Sequence, residues 1–175
     1  MMYGIIGNAN KKKLSDLVGI TWDEVLLVYE GVGKALAEKG HAILMVPEGA
    51  MLAVARAYKR AGGKEFVGLV PSADTEWGCE HVNATECDRT IDGFTWVEAP
   101  YQLVKNADAF IELGFGTGTC MELNFVKYNN RFLGENKKVI VVKELLRNGR
   151  LPVEVEYDLK DTIDYVGVRK IKEKV

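Results

Sequence analysis

The most constraining feature of the 175-residue chain is Ala107-Asp108-Ala109-Phe110-Ile111-Glu112-Leu113, running directly into Gly114-Phe115-Gly116-Thr117-Gly118-Thr119-Cys120-Met121-Glu122. The first half is a short apolar run with β-branched and aromatic residues, the composition of a strand buried on both faces of a parallel sheet. The second half has glycine at every other position, then apolar residues at helical spacing, so the stretch reads as strand, tight turn, helix. Glycines let a backbone approach a ligand closely, and the first turn of a helix leaves several N–H groups without partners. Such a turn holds anions. The predicted ligand contacts there are Gly114, Phe115, Gly116, Thr117, Gly118 and Thr119. The two threonines add hydroxyl donors, and the helix dipole favours a phosphate or carboxylate. Glu122, about one helical turn further in, faces the same mouth and is the predicted catalytic carboxylate. The spacing is neither the Walker pattern, which needs Gly-Lys-Ser/Thr, nor a good G-x-G-x-x-G. A strand-to-helix turn with no ligand is the competing reading.

The rest of the chain repeats this unit. Tyr3–Gly7 is a first strand ending in the polar turn Gly7-Asn8-Ala9-Asn10. In an open α/β sheet ligands sit at that end of a strand, which makes Gly7 and Asn8 candidate contacts. Residues 10–19 are expected to be an irregular loop with solvated lysines. Thr21 and Glu24 form a capping box, and Val25, Val28, Tyr29, Val32 and Leu36 recur at helical spacing up to Gly40. Gly31 and Gly33 weaken that helix and point to close packing against a neighbour. His41–Val46 is a second strand, and Pro47-Glu48-Gly49-Ala50 leads into a helix reaching Gly62-Gly63, with Gly49 a further candidate contact. Phe66–Val70 is a third strand, Pro100–Asn106 a helix and Lys138–Val142 another buried strand. Val153–Lys172 reads as an edge strand and a short terminal element. Strands alternating with helices predict an α/β fold: a Rossmann-like, doubly wound, mainly parallel sheet with helices on both faces, in one domain over 1–175.

Ser72–Phe94 is the least regular region and reads as a packed or lid-like loop. It collects Trp77, Cys79, His81 and Cys87, but their spacing matches no common zinc module and a fourth ligand is missing, so no metal or cofactor is expected. A net charge of −2 argues against a dedicated nucleic-acid binder. No apolar segment approaches a membrane span, the N-terminus has no signal-peptide architecture, and three cysteines without a framework spacing fit a reducing compartment. The expected setting is the cytoplasm, with no membrane partner.

The order of elements, with Ala107–Glu122, resembles the family of cytokinin-activating phosphoribohydrolases and their lysine decarboxylase-like relatives. That family's turn is Pro-Gly-Gly-x-Gly-Thr-x-x-Glu, and here Gly116, Gly118, Thr119 and Glu122 match it, while Gly114 and Phe115 stand for its proline and first glycine. Gly49-Ala50-Met51 and Ala61-Gly62-Gly63 to Pro71 continue the resemblance upstream, which spans roughly residues 3–142. It implies a nucleotide-binding superfamily fold, a dimer or larger assembly, and cleavage of the N-glycosidic bond of nucleoside 5′-monophosphates. In such a reaction Glu122 would stabilise an oxocarbenium-like transition state or activate water.

The chain departs from the family in two places. Val46-Pro47-Glu48 replaces a Gly-Gly-Gly phosphate turn, removing a donor and adding a repelling charge. Ala99, with Pro100 after it, stands where the family has its catalytic arginine, and Glu98 cannot replace a guanidinium. The expected function is therefore binding of a nucleotide or other phosphorylated small ligand with weak or lost turnover. A divergent N-glycosidase and an oligomeric structural protein with a vestigial pocket are the alternatives. Lysine decarboxylase activity is rejected, because Gly114–Glu122 contains no lysine for a Schiff base and Lys127 lies too far along the helix. Cys120 reads as a small residue packed behind the turn, with a helix-activated nucleophile as the competing reading.

Overall fold

The computed structural model describes residues 1–175 and contains one seven-stranded sheet in which every pairing is parallel. The strands are β1 (Met2–Gly7), β2 (Ala42–Met45), β3 (Phe66–Leu69), β4 (Arg89–Ile91), β5 (Ala109–Leu113), β6 (Val139–Val142) and β7 (Ile163–Val166). Their order is β4-β3-β2-β1-β5-β6-β7. The helices are α1 (Lys11–Val18), α2 (Trp22–Glu38), α3 (Leu52–Arg60), α4 (Ala99–Asn106), α5 (Thr117–Leu133) and α6 (Val153–Leu159). All residues of β3, β5 and β6 are buried, as two-sided cover by helices requires.

Each face of the sheet carries its own core. On one face Leu14 of α1, Tyr29 and Leu36 of α2, and Val54 and Tyr58 of α3 pack over Ile5, Ile43 and Ile111. On the other, Leu103 and Val104 of α4, Leu123 and Val126 of α5, and Leu159 pack over Ile6, Leu44, Phe110 and Val139. Gly33 brings α2 against α3, where an added Cβ would lie 2.6 Å from the Tyr58 nitrogen, and a Cβ on Gly31 would lie 2.7 Å from Val168. These contacts account for two glycines that would otherwise only weaken the helix.

The topology fixes the place of a site. The chain winds outward from β1 through β2 and β3 to β4, then returns to the other side of β1 as β5. The strand order therefore reverses between β1 and β5, whose carboxyl ends pair at Gly7 and Leu113. Crevices at such reversals receive ligands in open α/β sheets.

Three segments differ from the sequence expectation. Residues 10–19 form α1 rather than a loop: Asn10 caps it by accepting from the Lys13 N–H at 2.9 Å, and Gly19 ends it in the left-handed region at φ 77°. Val153–Leu159 is helical, and the edge strand is confined to Ile163–Val166. Within Ser72–Phe94, Arg89–Ile91 adds β4 to the sheet, and Asp88 anchors it by accepting from Phe66 N–H at 2.7 Å and Lys59 at 3.0 Å.

Candidate functional site

The carboxyl ends of β1, β2 and β5 frame a cleft of about 420 Å³. Its floor is the turn before α5. Gly114 has φ 108°, a left-handed value that a side chain would strain, and an added Cβ would meet Leu14 at 2.5 Å. Gly116 occupies the N-cap of α5 in extended conformation and offers no capping side chain. The first helical hydrogen bond runs from the Cys120 N–H to the Gly116 carbonyl at 3.0 Å. The N–H groups of Thr117, Gly118 and Thr119 precede it and have no protein acceptor.

One buried side chain stands beside these donors, and one basic residue lines the same cleft. Asn8 is 8% exposed; its Oδ1 accepts from the Asn10 N–H at 3.0 Å, while its Nδ2 is buried without a partner. That amide lies beside the turn, 3.5 Å from where a Cβ on Gly116 would stand. A buried donor without an acceptor carries a free-energy penalty that a bound anion would relieve. Lys13, carried by α1, is the one basic residue lining the cleft. Sequence reasoning missed it because α1 was read as a loop, although Asn10, the Leu14/Leu17/Val18 spacing and Gly19 together signal a short helix.

Among the residues singled out in the sequence, Gly7, Asn8, Gly116, Thr117, Gly118, Thr119 and Glu122 all line the cleft. Gly49, Gly114 and Phe115 do not. Gly49 packs against the Ala9 carbonyl, Gly114 shapes the turn from behind, and Phe115 lines a separate apolar groove with Leu14, Leu17 and Leu146. The Thr119 hydroxyl is also turned away, donating to the Gly114 carbonyl at 3.2 Å. Cys120 faces a third groove beside Asn124 and Lys127, outside the cleft. His81, Cys79 and Cys87 do not form a metal-binding group, and no set of three or more His, Cys, Asp or Glu side chains is arranged to hold one. Burial raises the Cys87 thiol to about 11.

The cleft walls are acidic. Glu122 is half-buried, and burial, followed by the charges of Glu112 and Glu48, pushes its carboxyl up to about 8. Glu112, the fourth residue of β5, is 0% exposed with neither carboxyl oxygen in a well-formed hydrogen bond, and burial pushes it up to about 8, the nearby Gly114 N–H offsetting only part of that rise. The upward shift means that Glu122 carries less negative charge near neutral pH than an exposed carboxylate, which lowers its repulsion of an anion beside it. Ala99 and Pro100 also line the cleft, with no guanidinium among the lining residues. The remaining wall comes from the 72–97 segment, which contributes Trp77, Trp96 and Val97.

An all-parallel doubly wound sheet with a crevice at its strand reversal defines a Rossmann-like α/β protein. The chain belongs to the SLOG cluster4 family, a lysine decarboxylase-like family whose sequence profile matches residues 1–164. This agrees with the resemblance seen in the sequence. Among curated proteins no match is found. Solved structures share the fold at low identity. The molybdenum cofactor binding protein of the phototrophic bacterium Rippkaea orientalis superposes with a TM-score of 0.68 at 18% identity, covering 99% of this chain and 93% of that one. The molybdenum cofactor carrier protein of Chlamydomonas reinhardtii gives 0.66 at 18% identity, covering 96% and 91%. The protein TM1055 gives 0.63 at 21% identity, covering 97% and 88%. No helix of the chain is long and apolar enough to cross a membrane.

Proposed function

We propose that the cleft binds a nucleotide or another phosphorylated small molecule, seats its phosphate on the amino terminus of α5, and holds it with little or no turnover. The observation that carries this reading is the convergence of three unpaired N–H groups with the buried, partnerless Asn8 amide and Lys13. Helix dipole and donors act together on an anion at such a point. The absence of an arginine beside Ala99 supports binding over catalysis, because loss of one positioned charged donor typically costs about 2.7–4 kcal/mol of transition-state stabilisation. The carrier and binding proteins of the same fold lend the same support and bring the molybdenum cofactor into the candidate set.

The test is a thermal-shift screen against nucleoside mono-, di- and triphosphates, dinucleotides, ribose 5-phosphate and the molybdenum cofactor. A ligand at a hundred times its Kd stabilises by about 2.7 kcal/mol, or roughly 5–10 °C for a domain this size. A flat screen overturns the reading. The N-glycosidase alternative is favoured by Glu122 standing beside the phosphate donors. In that role it must be ionised, so base release from a nucleoside monophosphate is expected to rise with pH through about 8. The dimer implied by the family resemblance is measured on the same sample by sedimentation.

A further inference from the structure

The phosphate end of the cleft leaves its other end unexplained. There the 72–97 segment is stitched into a rigid wall by Asp74, which accepts from the backbone N–H groups of Trp77 at 2.8 Å and Trp96 at 3.1 Å. The Trp96 indole donates to the Gly78 carbonyl at 2.7 Å, and its ring stacks on His81 at 5.4 Å with an interplanar angle of 6°. His81 in turn holds one oxygen of Glu48 at 3.2 Å. The other Glu48 oxygen makes no hydrogen bond to the protein, although Glu48 lines the cleft. Trp77 lines it too, a residue 66% exposed whose indole N–H has no partner in the protein. A large aromatic face left open in a cleft wall, on a fixed backbone, suits a planar ligand.

Charge narrows the ligand further. An anion alone is matched at the α5 turn but mismatched at Glu48, whose exit turn offers a carboxylate rather than donors. Glu48 is held by His81, whose ring stacks on Trp96 in the same wall that carries Trp77, so its carboxylate belongs to the aromatic side of the cleft even though its charge reaches Glu122. A carboxylate accepts two parallel N–H bonds, and among nitrogen heterocycles that geometry is offered by an adjacent ring N–H and exocyclic amino group.

We infer that the cleft recognises a phosphorylated heterocycle with a 2-amino-4-oxo edge, its ring stacked on Trp77 and its N–H/NH2 pair donated to Glu48. Guanine nucleotides and phosphorylated pterins both present this edge. Adenine presents a bare ring nitrogen there, which a carboxylate repels, and hypoxanthine lacks the amino group. This inference rests on the phosphate-binding reading above and adds the ring to it.

The experiment is calorimetric titration of the full chain with GMP, IMP, AMP and ribose 5-phosphate. GMP is expected to bind about tenfold more tightly than IMP, the value of one charge-assisted hydrogen bond, with AMP weakest. Glu48→Gln is expected to bring the GMP/IMP ratio towards one, and Trp77→Ala to weaken GMP about tenfold, within the range for a lost base–aromatic stack. A phosphorylated pterin identifies the source of the edge: tighter binding than GMP assigns a pterin, weaker binding a guanine nucleotide. Equal affinities for GMP, IMP and AMP in the wild type overturn the inference while leaving the phosphate reading intact, because ribose 5-phosphate reports that end alone. Absence of binding by every arm, ribose 5-phosphate included, overturns both.

Discussion

The β2–α3 and β5–α5 units have the same plan, strand to tight turn to helix, and both open on the same cleft, yet only one leaves a run of backbone donors open. At the β2 exit Pro47 has no N–H, Glu48 donates to Val46 at 2.9 Å, and Ala50 donates to the Ala9 carbonyl at 2.8 Å. The helix there starts through a 3-10 turn over Gly49–Met51. At the β5 exit, three consecutive N–H groups stay open and the cap residue is glycine. A recurring supersecondary unit therefore sets where the turns lie, while the count of open backbone donors sets what each turn can offer. The strands differ as well: β2 is wholly apolar, whereas β5 carries a buried acid one residue before its end.

That acid gives the largest expected effect. Glu112 has an ordinary value of 4.5 when exposed and about 8 in the fold. Between those values the unfolded chain releases its proton while the native state keeps it, so stability falls as pH rises through this window and levels off above about 8. The window from 4.5 to about 8 spans 3.5 units, on the order of 5 kcal/mol at about 1.4 kcal/mol per unit. Thermal melts at pH 5 and pH 8.5 are expected to show a marked drop in Tm for the wild type and a smaller one for Glu112→Gln. An unchanged drop in the variant would move the effect to Glu122, which titrates in the same direction.

The two turns can be set against each other through their glycines. Gly49 has φ 51°, and an added Cβ would collide with the Ala9 carbonyl. Gly49→Ala is expected to cost about 2–4 kcal/mol of stability. Gly118 has nothing within 4 Å of its Cβ position and sits in helical conformation. Gly118→Val is therefore expected to leave Tm within a few degrees while weakening ribose 5-phosphate about a hundredfold, its methyl groups covering the donors at a cost similar to one lost oxyanion contact. A Gly118→Val protein that still binds normally would remove the anion from the α5 turn and erase the contrast between the two units.

How much of this was legible in the sequence differs by layer. Short apolar runs and period-3.6 patterns with capping signals gave β1, β2, β3, β5 and β6 and the helices α2, α3, α4 and α5, because burial writes itself into runs such as Phe110-Ile111 and Val28-Tyr29-Val32. β4 was not legible: Arg89-Thr90-Ile91 is short, exposed and held by partners elsewhere in the chain, Asp88 above all. α6 was hidden by the alternation of Val153-Glu154-Val155-Glu156, which imitates a strand. In the site, the α5 turn was visible from glycine spacing alone. The partnerless Asn8 amide and the fixing of Trp96 by His81, Gly78 and Asp74 depend on residues brought together from distant positions, and no local pattern announces them.

The smallest expected effect separates contact from background. Lys11, Lys12 and Lys13 form one basic run, but α1 turns only Lys13 into the cleft, while Lys12 is directed to Asp16 at 3.8 Å. Both side chains are exposed, so solvent and salt limit what either can do. Lys13→Ala is expected to weaken ribose 5-phosphate about five- to tenfold at low salt, consistent with one charge-assisted contact, and Lys12→Ala to change it by less than about twofold. Titrations at 20 and 200 mM salt, concentrations on either side of roughly a 10 Å screening length, check the origin of the difference. A contact at Lys13 keeps part of its effect at high salt, because the partner is within hydrogen-bonding distance. Equal losses from the two variants, both erased by salt, would assign the attraction to the general field of the run, and the β5–α5 turn would then bind its anion through backbone donors and Asn8 without a cationic partner.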